Sequence, residues 1–481
     1  MKNNVKIKLY NTMTRQKEEL KPLEEGKIKM YACGPTVYNF IHIGNARPIC
    51  LFDTFRRFLE FAGYDVKFVQ NFTDIDDKII KRANENGEES SVLAERFIEE
   101  YKKDAKGLGV REANIHPRAT EVIEPIIKIV KGLIDKGYAY ESDGDVYFST
   151  KSFKDYGKLS HQTLEELGLN DREVVFDATN QKRDSADFAL WKSAKPGEPS
   201  WDSPWGKGRP GWHIECTAMI NTYLGDTIDI HCGGQDLIFP HHENEIAQSE
   251  CYTGKPYANM WLHNGYINVD NKKMSKSLGN FFTVRDVSEK YGYEVIKYLM
   301  LQAHYRMPIN YSEDIIRQCK SALDRLYSCK ENMEFILKDK PITKEMVKNS
   351  FTEELDKLVS QFTEEMADDF NTANAVSVMF EMAKAINRYA ENNKNDEKYL
   401  QALSYAYNTY MELANVLGIL YERSSSNSQA DGDEEILRLI EERAEARKNK
   451  DYAKSDEIRD KLASMGITIK DTPEGVKWSR N

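Results

Sequence analysis

A run of β-forming residues, KIKMYA (27–32), passes through the loop CGPTVYNFIHIGNA into a helix with apolar residues at helical spacing, ARPICLFDTFRRFLEFAG (46–63). A second β-rich run, YDVKFVQNF, follows directly. Strand, helix and strand at this spacing imply a parallel sheet with a right-handed crossover. The pattern resumes only at DTIDIHC (226–232), which leads through GGQDLIFP into another helix and then into NMWLHNGYINV (259–269). The interval holds a strand-rich patch, YAYESDGDVYFST, and turn-rich loops. The expected fold class is therefore α/β, with a parallel-sheet domain in two halves (1–111 and 206–270) split by an insertion (112–205).

The remainder changes character. Residues 271–310 begin as a charged loop with little periodicity. From 311 to 423 glycine is nearly absent and apolar residues recur every three or four positions, as in an α-helical bundle. SSSNSQADGDE (424–434) reads as a polar linker. Residues 435–481 read as a small α+β module: two helices, the second capped by Asp451 and stopped at Gly466, then a hairpin in ITIKDTPEGVKWS.

A chain of 481 residues, 40% hydrophobic and 11% aromatic, has the length for two to four domains and the apolar content for real cores. No apolar run reaches the roughly 18 residues of a membrane span, and MKNNVKIKLYNTMTRQKEEL lacks a signal peptide's apolar core. Seven cysteines, odd in number and widely spaced, favour reduced thiols and a cytoplasmic location. A formal charge of −11 argues against nucleic acid as a whole-surface partner, though not against a local contact.

Three stretches carry chemistry. HIGN, His42 to Asn45, stands at a strand-to-helix junction. The unpaired N–H groups and dipole of such a helix start suit a phosphate, and Gly44 permits close backbone approach. In KKMSKSLGN, Lys273 and Lys276 are compact charges suited to polyphosphate. Each motif alone is compatible with an ordinary helix start or a solvated loop; their conjunction across a split sheet is specific. The third stretch is FPHHENEIAQSEC (239–251). A helix starting near Pro240 places His241 and Glu245 at i and i+4 on one face, with His242 and Glu243 elsewhere. The order is not the HExxH of a zinc protease. Cys33 and Cys216, near the same predicted elements, would complete a four-ligand set suited to zinc. The alternative is two buried thiols beside a solvated helix start.

Together these residues resemble the class I aminoacyl-tRNA synthetases, and within them the cysteinyl-tRNA synthetases of bacterial type. The blocks are MYACGPTVYNFIHIGNAR, NFTDIDDKIIKRANENGE, GEPSWDSPWGKGRPGWHIECTAM, FPHHENEIAQSE and KMSKSLGNFFTVRD, in the family's order and nearly end to end. The resemblance implies a Rossmann-type catalytic domain with a connective insertion, a stem-contact region in 271–310, and an anticodon-binding module in 435–481. It implies one zinc ion per chain, on Cys33, Cys216, His241 and Glu245, that recognises the sulfur of cysteine. Thr73 and Trp212 match residues that contact the substrate cysteine; as isolated residues they read as a turn or cap and a core aromatic. His213, His231 and His242 are read as supporting the ligands and the carboxylate; as isolated histidines each reads as structural.

The reaction so implied joins L-cysteine to ATP, with Mg2+, as cysteinyl-adenylate, and then transfers cysteine to tRNA(Cys). His42, Gly44 and Asn45 would hold the α-phosphate region; Lys273 and Lys276 would neutralise pyrophosphate. A monomer is expected. The sequence departs from the family pattern at Asn45, where class I chains usually have histidine, and at Cys232, where glycine is common; Cys232 reads as a small buried residue. One rival is an ATP-dependent ligase that joins cysteine to an amino sugar, to which the regions beyond residue 311 would be of little use. Another is a zinc-stabilised RNA-binding protein without catalysis, which would not need HIGN and KMSKS.

Overall fold

The computed structural model describes residues 5–163, 166, 182–274, 280–338, 340, 347–421, 430–472 and 475–480. The chain opens with a hairpin of β1 (Lys8–Asn11) and β2 (Gln16–Glu19), then forms β3 (Lys27–Ala32), α1 (Ile43–Phe61) and β4 (Asp65–Gln70). Helices α2 (Asp77–Asn86), α3 (Ser90–Gly107) and α4 (Ile123–Asp135) lead into β5 (Ala139–Ser142), β6 (Asp145–Phe148), β7 (Phe188–Ser193) and β8 (Gly208–Pro210). The chain returns through α5 (Trp212–Tyr223), β9 (Ile228–Gly234), α6 (Glu243–Thr253) and β10 (Ala258–Asn264). Short elements follow: β11 (Ile267–Val269), β12 (Lys272–Lys273), α7 (Val284–Tyr291), α8 (Tyr293–Leu301) and β13 (Ile309–Tyr311).

The two predicted halves meet in one parallel sheet, ordered β10-β9-β3-β4. They join between β3 and β9, where Met30, Tyr31 and Ala32 lie opposite Ile230, His231 and Cys232. From β3 the chain crosses by α1 to β4; from β9 it crosses by α6 to β10 on the other side. Connections that depart in opposite directions from two central strands leave a crevice beyond their C-terminal ends, and ligands bind in such crevices. The insertion forms its own antiparallel sheet, β5-β6-β7-β8, and its Trp191, Phe148 and Leu190 share a core with α4, α5 and Trp261 of the main sheet.

Three expectations shift in detail. NMWLHNGYINV is two strands, because the chain leaves the main sheet after Asn264 and pairs β11 with β12 and β13 instead. The insertion's sheet runs to Pro210, since β8 pairs with β7. The helix expected at Pro240 becomes regular only at Glu243, after a turn over Ile238–His242 in which Phe239 is extended (φ −135°, ψ 133°).

The helical region comprises α9 (Glu313–Ile336), α10 (Ser350–Ala367), α11 (Thr372–Asn392) and α12 (Tyr399–Leu417). The terminal module contains α13 (Ala430–Lys448), α14 (Tyr452–Ser464), β14 (Ile467–Thr472) and β15 (Gly475–Arg480). Helix α13 begins inside the segment read as linker, while α14 has the expected cap, Lys454 N donating to Asp451 Oδ1 at 3.1 Å. Two compact units result. One holds residues 1–323, 357–380 and 413–419; the other holds 324–356, 381–412 and 420–481. Within the second unit, Phe351 stacks on Tyr389 at 4.0 Å, and Ile436, Leu439, Ile458, Leu462 and Ile467 form the core of the module. Among the described residues no helix is long and apolar enough to cross a membrane.

In the first unit α1 and α8 are joined by a buried ion pair. Lys297 Nζ lies 3.2 Å from Asp53 Oδ2, both essentially without solvent exposure, and Arg57 Nε donates to the same oxygen at 2.8 Å. Burial alone would raise the Asp53 carboxyl, but Lys297, Arg57 and Arg111 outweigh it and hold it below the usual range. Its ionised form therefore stabilises the fold above its unfolded-state pKa of about 4, and that contribution is lost as pH falls through the lower folded value. Asp53→Asn leaves Lys297 buried without its counter-charge, at an expected cost of roughly 3 kcal/mol at neutral pH. Urea unfolding followed by tryptophan fluorescence should show a lower midpoint, with the gap to wild type narrowing in acid. An unchanged midpoint at pH 7 would contradict the assignment.

Candidate active site and metal centre

Four elements converge at the crevice. Cys33 follows β3, its N–H donating to Cys232 O of β9 at 3.3 Å. Cys216 sits on α5, His241 on the turn before α6, and Glu245 on its first turn. One ligand atom from each of these residues lies within 4.8 Å of every other. His241 Nε2 is 3.0 Å from Glu245 Oε1 and 3.5 Å from Cys216 Sγ, and Cys33 Sγ is 3.7 Å from the same carboxylate oxygen. Tetrahedral zinc with ordinary bond lengths separates its ligand atoms by about 3.3–3.8 Å, a spacing close to that of this donor set. Cys216, His241 and Glu245 are buried and Cys33 is half-buried.

The electrostatics follow from that crowding. A hydrogen bond from Cys33 draws the Cys216 thiol down to about 6 against the burial that opposes it, and His241 adds to the effect. Cys33 is pushed up by burial and by its neighbours Cys216 and Glu245. Burial would lower His241, yet Glu245 and Cys216 raise it to about 10. Glu245, which burial would raise, is held well below the carboxylate range by His231 and His241.

A surrounding layer fixes the donors. His213 Nδ1 lies 2.9 Å from His241 Nδ1, and His231 Nε2 lies 2.9 Å from Glu245 Oε2. His242 Nε2 is 3.3 Å from Cys33 Sγ, while its Nδ1 is 2.8 Å from His263 Nε2. The second group, Cys33, His231, His242 and Glu245, also brings ligand atoms within 4.8 Å, sharing two members with the first. Sequence reasoning missed Tyr257, which donates to Glu245 Oε2 at 2.9 Å, and the His263–Thr12 contact at 2.8 Å. Neither carries a motif. Glu243 is buried rather than solvated: it accepts from Leu159 N at 3.1 Å and Ser160 N at 2.8 Å, fastening the insertion to α6. Cys232 is fully buried, as expected of a small core residue.

Thr73 and Trp212 border this cluster. Thr73 is buried and donates to Glu215 Oε2 at 3.1 Å, and Glu215 is raised first by burial and then by Cys216. Trp212 opens α5, is 39% exposed, and its ring centroid stands 4.3 Å from that of His241, so it presents an accessible aromatic face beside the donors. Gly34 lies beneath them; a Cβ there would stand 1.7 Å from Asn71 O.

HIGN forms the cap of α1. Asn45 N donates to His42 Nδ1 and His42 N donates to Asn45 Oδ1, each at 3.2 Å. With Nδ1 so engaged, any ligand contact from this imidazole must come through Nε2. A Cβ on Gly44 would lie 2.9 Å from the His42 ring and 3.2 Å from the Met274 methyl. The two motifs thus adjoin. Ile43 N donates to Phe282 O at 3.2 Å and Val284 N to Ile41 O at 2.9 Å, bringing the exit of the KMSKS segment against the HIGN turn. Lys273 lies on β12, opposite Asn268; Lys276 falls outside the described residues.

Comparison with known proteins follows this geometry. A family model described as the tRNA synthetases class I (C) catalytic domain matches residues 19–321. A DALR domain matches 361–421, and a cysteinyl-tRNA ligase anticodon binding domain matches 429–478. A cysteine–tRNA ligase of Bacillus pumilus is 54% identical over 98% of this chain and 99% of its own. One from Clostridioides difficile is 53% identical over 98% of this chain and 100% of its own. Among solved structures, a Mycobacterium tuberculosis methionyl-tRNA synthetase in complex with methionyl-adenylate aligns with TM-score 0.59 at 15% identity, covering 81% of this chain and 90% of its own, which shows a common fold. At such identity over nearly its whole length, the chain belongs to the cysteine–tRNA ligase family of class I aminoacyl-tRNA synthetases.

Proposed function

We propose that the enzyme activates L-cysteine with ATP in the crevice beyond β3 and β9, transfers it to tRNA(Cys), and selects cysteine over serine with zinc held by Cys33, Cys216, His241 and Glu245. The observation that carries this reading is the buried donor set of two thiols, one imidazole and one carboxylate beside an exposed tryptophan face. The first donor group is preferred to the overlapping one because it offers two thiols. When bound, zinc would supply an affinity for thiolate that a serine hydroxyl cannot match near neutral pH. A shape-based pocket alone discriminates poorly between near-isosteres.

The protein's own groups do the remainder. Trp212 would wall the substrate pocket, with Thr73, whose hydroxyl donates to Glu215, beside it. His213, His231 and Tyr257 keep His241 and Glu245 in fixed rotamers, so little reorganisation accompanies binding. Activation is attack of the cysteine carboxylate on the α-phosphate of ATP, with release of pyrophosphate. The HIGN cap, with His42, Gly44 and Asn45, would hold the α-phosphate region. Lys273 and Lys276 would neutralise pyrophosphate, whose Mg2+ arrives with ATP. Such chemistry is chiefly positioning and charge stabilisation. Residues 435–481 would read the anticodon. We place the enzyme in the cytoplasm, as a monomer.

ATP–pyrophosphate exchange by the purified chain is expected to depend on cysteine and to fail with serine, and a tRNA with anticodon GCA should be cysteinylated. Equal exchange with serine would overturn the selectivity assignment; exchange without tRNA charging would favour a small-molecule ligase. In the same assay Lys276→Ala should slow exchange by about 100-fold, the scale for losing one charge-stabilising group, with the KM for cysteine little changed. An unaltered rate would remove Lys276 from the reaction.

A further inference from the structure

Arg47 lies one turn into α1 from the HIGN cap and has no solvent exposure. Among the described residues no carboxylate is a hydrogen-bond partner of Arg47. Its guanidinium instead donates to main-chain carbonyls: Nη1 to Tyr266 O at 2.8 Å, and Nη2 to Tyr305 O at 3.0 Å and to Met307 O. Burial without a counter-charge is costly, and it lowers the guanidinium to about 10. A planar fork of donors reaches several carbonyls at once, which a lysine ammonium cannot reproduce.

Those carbonyls belong to the frame of the KMSKS segment. Tyr266 O also accepts Ile309 N at 3.0 Å, and Tyr305 O accepts Gly265 N at 2.9 Å, so Arg47 grips the joint where β11 and β13 begin their pairing. Strand β11 continues through β12 to Met274, whose methyl rests against Gly44. The exit, Phe282 to Val284, pairs with Ile41 and Ile43. Both flanks of the segment carrying Lys273 and Lys276 are therefore fastened to the first turns of α1. Arg47 supplies the fastening on the entrance side.

The opposite face of the same joint is held by Asp369. Its Oδ2 accepts Arg306 Nε at 2.9 Å and Nη2 at 2.6 Å, and its Oδ1 accepts the Tyr305 hydroxyl at 3.0 Å and Tyr10 N at 2.8 Å. Asp369 is buried, and both it and Phe370 adopt left-handed φ values of 61° and 52°, a conformation rare for non-glycine residues that the surrounding contacts must impose. Arg47 takes the backbone of His304–Met307 and Asp369 takes its side chains.

We infer that His304–Met307 is a two-sided joint by which Arg47 and Asp369 register the KMSKS segment against the HIGN helix, so that Arg47 is a positioning residue for adenylate formation. The inference rests on the proposed adenylation reaction. Metal and cysteine recognition belong to α5, α6 and the ends of β3 and β9, none of which Arg47 contacts through a hydrogen bond. Misregistration of phosphate-binding groups should therefore lower kcat and leave cysteine affinity intact.

The test uses the full chain with Arg47→Lys, Asp369→Asn and the double variant. In cysteine-dependent exchange, Arg47→Lys should lower kcat by about 10- to 100-fold, the penalty for displacing reacting groups by an ångström or less, with the KM for cysteine within about twofold of wild type. Metal content should be unchanged. Asp369→Asn should show a smaller loss of the same kind. The double variant should lose less than the product of the single effects, because both act on one segment. An unchanged kcat in Arg47→Lys would overturn the inference. So would a joint decline of kcat, cysteine affinity and metal content, or independent, multiplicative losses. A wild-type chain without cysteine-dependent exchange would instead defeat the underlying reaction and this inference with it.

Discussion

Glu245 is a carboxylate with no solvent exposure, set among two thiols and three imidazoles, and the remainder of the site is arranged around it. Removing such a charge from water costs several kcal/mol unless partners replace the lost hydration. Each oxygen has them: Oε1 faces His241 and Cys33, and Oε2 takes His231 and the Tyr257 hydroxyl. The raised imidazole of His241 supplies one positive charge against the carboxylate and a thiol drawn toward thiolate. A divalent cation would balance that set directly. A buried anionic nest is costly, and the cation binding proposed above would offset that cost.

The parallel sheet makes this nest possible. β3 and β9 come from halves of the sequence some 200 residues apart, yet they are neighbours, and their C-terminal ends deliver Cys33 and His231 to one side. Helices α5 and α6 close the other side with Cys216 and Glu245. The insertion is more than a loop between half-sheets, since Leu159 and Ser160 cap Glu243 and so brace the helix that bears Glu245. A few residues away, HIGN and the ends of the KMSKS segment form a separate region, tied together by Arg47 and by a short main-chain ladder. On the proposed reading, amino acid selection and phosphate chemistry would use different edges of one crevice.

Elements with strong local signals were legible in the sequence. Strand β3 lies at 27–32 as read, the α1 helix starts within a residue of Gly44, and Asp451 caps α14. The pair His241 and Glu245 was visible because helical spacing alone aligns them, even though the regular helix begins later than expected. Cys33 and Cys216 were candidates from their place near the predicted elements, but deciding between ligands and plain buried thiols needed the family resemblance, because spacing does not reveal which thiols a sheet brings together. Tyr257, His263 and Thr12 were not found: Thr12 reaches the site from a distant segment, and Tyr257 and His263, though near Glu245 and His242 in sequence, have no distinctive neighbourhood there. Arg47 and Asp369 were hidden for the same reason. Their partners are main-chain carbonyls and a joint that exists only once β11 and β13 pair.

The central claim is that the cation in this nest takes the sulfur of the substrate as an added ligand. Replacing the native metal with Co2+ makes this visible, because thiolate-to-cobalt charge transfer absorbs in the near ultraviolet and scales with the number of sulfur donors. With two protein thiolates as the baseline, saturating cysteine should increase that band while serine leaves it unchanged, and Cys216→Ser should lower the baseline. Identical spectra with cysteine and serine would contradict the account.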